Sequence, residues 1–158
     1  MTIQYILCDF WGTVAQIGVY SPVKKIKQIL GLNDIDFSEY VNRMQTVLLT
    51  KNYPSMREGF EAVAAEFEVE VSDAQLDELV GMWNKSWLMA RPLPFIKENL
   101  SKLSSDYKFV LVANTDAKSV SNCLEKFGWT DLFSEVFYSC DMGLIKTDPE
   151  FLKKVMES

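Results

Sequence analysis

Apolar residues from Ile3 to Cys8 form a short run without an alternating polar face, the pattern of a strand covered on both sides in a parallel sheet. The run ends abruptly at Asp9. From Ser21 the texture becomes helical: Ser21-Pro22 opens one amphipathic stretch and Gly31 stops it. Three capping-box spacings follow, Asp36 with Glu39, Ser55 with Glu58 and Ser72 with Gln75, each leading into another amphipathic segment, and the helical block runs to about Met89. Pro92 and Pro94 mark a boundary. Beyond it Phe95 to Leu103 reads as a helix and Phe109 to Ala113 as a second buried strand. Asp116 then caps a helix through Phe127 that Gly128 closes. Glu135 to Ser139 reads as a third strand, and Asp148-Pro149 opens a last helix.

One strand, a helical block, then alternating helices and strands predict an α/β fold: a sheet with helices on its faces and an all-helical insertion after the first strand. Ligands bind such sheets at the carboxyl ends of the strands. Three polar clusters fall there, Asp9 to Thr13, Asn114 to Asp116, and Asp141 to Lys146.

Composition narrows the chemistry. With 48% hydrophobic and 24% charged residues in 158, the chain has ordinary globular make-up. A net charge of −6 repels nucleic acid and anionic membrane, leaving a small molecule or a protein as partner. Cys8, Cys123 and Cys140 are odd in number and lack Cys-x-x-Cys spacing, which argues against a disulfide framework or a zinc site and fits a reducing cytoplasm. The apolar start lacks a basic leader and is too short to span a bilayer. Histidine is absent altogether. That removes Ser-His and Cys-His nucleophile pairs, histidine bases and histidine-ligated metals, and leaves carboxylates, lysine, hydroxyls and backbone groups.

Asp-Phe-Trp-Gly-Thr at residues 9 to 13 is the first place to look. A carboxylate at a strand end can attack electrophilic phosphorus or carbon where a cation and backbone N–H groups absorb the developing charge, and it can equally be a plain turn residue. Gly12 would allow a tight turn, and the Thr13 hydroxyl would hold it. This segment resembles the first motif of the haloacid dehalogenase-like hydrolase superfamily, a hydrophobic strand followed by Asp-x-x-Gly-Thr or a close variant. Two further stretches are similar to that family in the right order: Arg91-Pro-Leu-Pro-Phe-Ile-Lys through Lys108-Phe-Val-Leu-Val-Ala-Asn-Thr-Asp, and Leu132-Phe-Ser-Glu-Val-Phe-Tyr-Ser through Gly143-Leu-Ile-Lys-Thr-Asp-Pro-Glu-Phe. The resemblance implies a Rossmann-like parallel core of about three strands, built from residues 1–15 and 91–158, with a helical cap over 16–90.

It also implies a mechanism. Asp9 would form a covalent aspartyl intermediate that water hydrolyses, and Lys146 would offset negative charge on nucleophile and substrate. The substrate would be a small anionic phosphate ester or 2-haloacid, contacted by Phe10, Trp11, Gly12, Thr13, Asn114 and Thr115, with Mg²⁺ as a candidate ion at Asp9. Departures from the family pattern weaken this. Trp11 stands where phosphatases of the family place a second aspartate, and an indole is no general acid or base. Ala113 replaces the second-motif hydroxyl, for which Thr115 is the nearby substitute. Only twelve residues follow Lys146, too few for the family's acidic fourth motif and its strand. The first strand is then expected to keep an open edge and to draw copies of the chain into a homo-oligomer. A weak or inactive hydrolase, a non-catalytic ligand-binding or oligomerising relative, and a chain completed by another copy are the three readings left. Trp83, Trp87 and Met89 are expected to pack between helices, and Cys8 to be a small buried hydrophobe.

Overall fold

The computed structural model describes residues 3–158. Strand β1 (Tyr5–Cys8) runs into Asp9 and, after a tight turn, a two-residue strand β2 (Ala15–Gln16). Four helices follow: α1 (Pro22–Ile29), α2 (Phe37–Leu49), α3 (Met56–Glu66) and α4 (Asp73–Leu88). The chain returns through β3 (Arg91–Pro92), which pairs antiparallel with β2. Then come α5 (Ile96–Leu103), β4 (Lys108–Ala113), α6 (Ala117–Phe127), β5 (Glu135–Tyr138), the single turn α7 (Ser139–Met142) and α8 (Pro149–Glu157).

The helix starts follow from the residues before them. Asp36 accepts from the N–H groups of Ser38 and Glu39, Ser55 from Glu58 and Asp116 from Ser119, each satisfying donors that a first turn leaves free. Only Ser72 with Gln75 forms the full reciprocal box. Ser55 instead donates its hydroxyl to the Glu58 carboxylate at 3.0 Å. Ser21 makes no side-chain cap, so α1 relies on Pro22, whose φ is already helical.

Two hydrophobic cores result. The helical block has its own, with Ile26, Tyr40, Met44, Leu48, Phe60, Val63 and Leu79 removed from water. The second is built on the parallel sheet, in the order β1-β4-β5. Because side chains alternate across a strand, Phe109, Leu111 and Ala113 meet Phe10, Val120 and Leu124 on one face, while Val110 and Val112 meet Phe151 and Val155 of α8 on the other. The helical block joins the sheet where β2 and β3 run side by side. Gly18 lies so close to the returning chain there that a Cβ on it would sit 2.5 Å from the Cβ of Met89.

The expectation that the first strand is covered on both sides is corrected. Ile6 and Cys8 pack toward the α6 face, but Tyr5 and Leu7 are 49% and 43% exposed, because α8 reaches only β4 and β5. Among the described residues no strand pairs with the outer edge of β1. Met89 is likewise half exposed rather than packed between helices. No described helix is long and apolar enough to cross a membrane.

Candidate active site

The carboxyl ends of β1, β4 and β5 open on the same side, beneath α2 and α4 of the helical block. A cavity of about 310 Å³ lies between them, lined by Asp9, Trp11, Gln45, Trp83, Trp87, Asn114 and Lys146 among others. Asp9 is carried there by β1. The turn after it is closed by backbone: the Phe10 carbonyl accepts from the N–H groups of Val14 and Ala15, and Gly12 N–H donates to the Ala15 carbonyl at 2.8 Å. Gly12 has φ 80°, a left-handed conformation that glycine adopts without strain.

Lys146 comes from the other end of the chain and donates from Nζ to Asp9 Oδ1 at 2.5 Å. Its backbone is fixed as well, since Lys146 N–H donates to Asn114 Oδ1 at 2.8 Å. Asn114 Nδ2 in turn donates to Gln45 Oε1 on α2 at 3.1 Å. Two residues more than 130 positions apart in sequence thus form an ion pair held from both sides. Both remain partly open to solvent, with side-chain exposures of 39% for Asp9 and 26% for Lys146.

The other expected site residues divide. Trp11 and Asn114 line the cavity, as Asp9 and Lys146 do. Phe10 does not: its ring is fully buried in the sheet core, edge-on to Trp11, so only its backbone can serve the site. Thr13 is exposed and makes no side-chain bond to the turn, which the backbone closes without it. Thr115 is buried, donates its hydroxyl to the Asp116 carbonyl, and lies outside the cavity lining. The substitution of its hydroxyl for the one missing at Ala113 therefore fails, because one residue's advance turns the side chain inward.

Three lining residues, Gln45, Ser86 and Ser119, carry no signal in the sequence. They bring polar groups, and Trp83 and Trp87 supply much of the wall. Trp83 combines two roles, packing edge-to-face on Phe60 and donating Nε1 to Asp116 Oδ2 at 2.9 Å. Among the described residues, Asp9 and Lys146 are the only charged ones in the lining.

An Mg²⁺ ion asks for near-octahedral oxygen donors, usually with one or two carboxylates among them. The cavity offers the Asp9 carboxylate, already paired with Lys146. Asp116 is committed to Ser119 and Trp83, and Asp141 accepts from Asn52. Among the described residues, no three of His, Cys, Asp or Glu gather where they could share an ion. These donors do not by themselves make a magnesium site. The neighbouring thiols are poor nucleophiles: burial pushes Cys8 above its ordinary value, and burial with the Asp141 charge raises Cys140 to about 12.

The family model described as haloacid dehalogenase-like hydrolase matches residues 6–158. In structure, the chain is similar to a HAD family enzyme from Bacteroides thetaiotaomicron, with a TM-score of 0.64 and 20% identity over 99% of this chain and 78% of that one. That enzyme is also known in complex with magnesium and inorganic phosphate, where the TM-score is 0.61 at 20% identity over 98% and 78% of the two chains. Similarity extends to the L-2-haloacid dehalogenase of Xanthobacter autotrophicus, with a TM-score of 0.57 and 16% identity over 99% and 64% of the two chains. No curated protein matches in sequence.

Proposed function

The chain belongs to the haloacid dehalogenase-like hydrolase family, and on that premise we propose that Asp9 is the nucleophile of a hydrolase acting on a small anionic substrate. The observation that carries this reading is the Asp9–Lys146 pair, set on the cavity floor by segments from opposite ends of the sequence. Residues 1–15 and 91–158 act as the core and 16–90 as the cap. An Asp9 carboxylate oxygen bonds to the electrophilic atom of the substrate, and the leaving group departs with the electrons of its bond. Water then cleaves the aspartyl ester and restores Asp9. Lys146 holds the carboxylate in place and offsets negative charge on the bound substrate.

Trp11 bears on the choice between a phosphate ester and a 2-haloacid. An alkoxide leaving group needs a proton, and among the described residues the cavity lining has no titratable group beyond Asp9 and Lys146 to give it. A halide needs none. General acid help is typically worth about 10²–10⁴-fold, so hydrolysis of alkyl phosphate esters lacks a factor of that order here, whereas an aryl ester with a stable phenolate does not. Mg²⁺ at Asp9 would require donors beyond those described. Three free cysteines fit a cytoplasmic setting.

A non-catalytic, oligomerising relative is the second reading, favoured by the exposed apolar edge of β1. The deciding experiment replaces Asp9 by Asn and follows release of chloride from 2-chloropropionate and of phosphate from p-nitrophenyl phosphate. Shape is kept while nucleophilicity is lost, so turnover should vanish with an unchanged circular dichroism spectrum. Undiminished turnover in Asp9→Asn would overturn the nucleophile. No turnover by the parent chain would favour the second reading.

A further inference from the structure

We propose that Gln45, a residue of the cap, is a positioning residue that fixes the Asn114 amide and, through it, the backbone of Lys146. The proposal rests on the reading of Asp9 and Lys146 as the reacting pair, and it concerns how the pair is kept aligned. A side-chain amide can turn end over end, exchanging its acceptor oxygen for a donor nitrogen at little steric cost. At Asn114 the two orientations are not equivalent. With the oxygen toward Lys146, the Lys146 N–H has an acceptor at 2.8 Å. With the nitrogen there, two donors face each other. That mismatch already favours the first orientation. Gln45 adds to that preference while its own Oε1 faces the amide, since it accepts from Asn114 Nδ2 at 3.1 Å and would meet an oxygen if Asn114 alone flipped.

The consequence is a link between the two units of the fold. Gln45 sits on α2 in the helical block, whereas Asn114 follows β4 of the sheet and Lys146 lies on the approach to α8. The contacts Gln45–Asn114, Asn114–Lys146 and Lys146–Asp9 form one continuous path from cap to nucleophile. With the cap seated, Gln45 locks the amide and the lysine is delivered to Asp9. With the cap displaced, Asn114 loses that acceptor and its hold on Lys146 loosens.

The test reads hydrogen exchange of the Lys146 backbone amide by NMR, which needs no substrate. Gln45→Met keeps length but has no oxygen, and should speed exchange at Lys146 about tenfold, the order expected when one hydrogen bond is lost. Gln45→Glu keeps the acceptor and should restore protection, which a merely structural role would not predict. Asn114→Asp presents an oxygen in either orientation and needs no orienting partner. In that background Gln45→Met should leave Lys146 exchange unchanged. The proposal is overturned if Gln45→Met leaves exchange at Lys146 unaltered in the parent, or speeds it equally in the Asn114→Asp background. Thermal midpoints of each variant separate these outcomes from general unfolding. Failure of Asp9→Asn to stop turnover would remove the nucleophile and leave these exchange rates as they are.

Discussion

With an indole rather than a carboxyl at position 11, the described site residues pair a carboxylate with a cation and add no second carboxyl, and the neighbouring thiols are held silent. Burial raises the thiols of Cys123 to about 11 and Cys140 to about 12, from an ordinary 9.0. At about pH 8 neither is a thiolate to any useful extent, so a thiol reagent should label them only after unfolding, with half-buried Cys8 reacting first and slowly. The same shifts set a sign for alkaline stability. Each thiol binds its proton more tightly when folded, so its contribution is complete below pH 9.0 and is lost as pH rises toward the folded values. Urea unfolding should therefore show lower stability at about pH 10.5 than at pH 8, and a Cys123→Ala, Cys140→Ala double variant should lessen the drop. An unchanged slope in that variant would assign the loss to other groups, of which Tyr138, raised by burial to about 12, is one. Asp9 and Lys146 were legible in sequence because each stands in a patterned segment after a strand. Thr115 was misread because its hydroxyl is claimed by the neighbouring carbonyl, an allegiance no spacing records. Gln45 was invisible, since a polar residue on a helix acquires meaning only from the surface that packs over it.

Among the elements, the helices were read well because their starts are written in local chemistry. Asp36, Ser55, Ser72 and Asp116 each cap where expected. The two-residue β2–β3 ladder and the single turn α7 escaped, since neither is long enough to show a period. The exposed face of β1 escaped for the opposite reason: its residues are apolar on both faces although α8 leaves one uncovered. Asp116 has more to lose than the other caps. Its carboxylate accepts from Ser119 N–H at 2.9 Å and also from Trp83 Nε1 at 2.9 Å, tying α6 to α4. A lost cap costs about 1 kcal/mol and a lost side-chain hydrogen bond about 1 kcal/mol more. Asp116→Ala should therefore cost about 2 kcal/mol in urea unfolding, while Asp36→Ala, at an exposed cap, should cost clearly less. Trp83→Phe removes the indole donor and should account for roughly half of the larger figure. Equal losses for the two aspartates would mean that the Trp83 bond adds nothing.

For the molecule as a whole, the open side of the sheet matters most. β1 pairs with β4 along one edge, and no strand among the described residues meets the other. Beside that edge Tyr5 and Leu7 stand half exposed next to Val155 and Met156 of α8, lining a groove of about 480 Å³. Unpaired backbone donors and acceptors next to apolar side chains form a template for another strand, and a second copy of this chain offers the same edge in complementary orientation. We expect a homodimer or higher oligomer that covers it. Charge gives the expectation a direction. At a net −6 two copies repel, so association must come from the apolar edge and should tighten as salt screens the repulsion. Light scattering over a dilution series, at low and at high salt, reads both effects. Leu7→Lys places a charge on the apolar face of β1 while leaving the β4 pairing intact, and should shift the population toward monomer. A parent chain that stays monomeric at micromolar concentration, with the amides of Tyr5 to Cys8 exchanging freely on the outer edge, would show that the edge is tolerated in water and that no partner copy covers it.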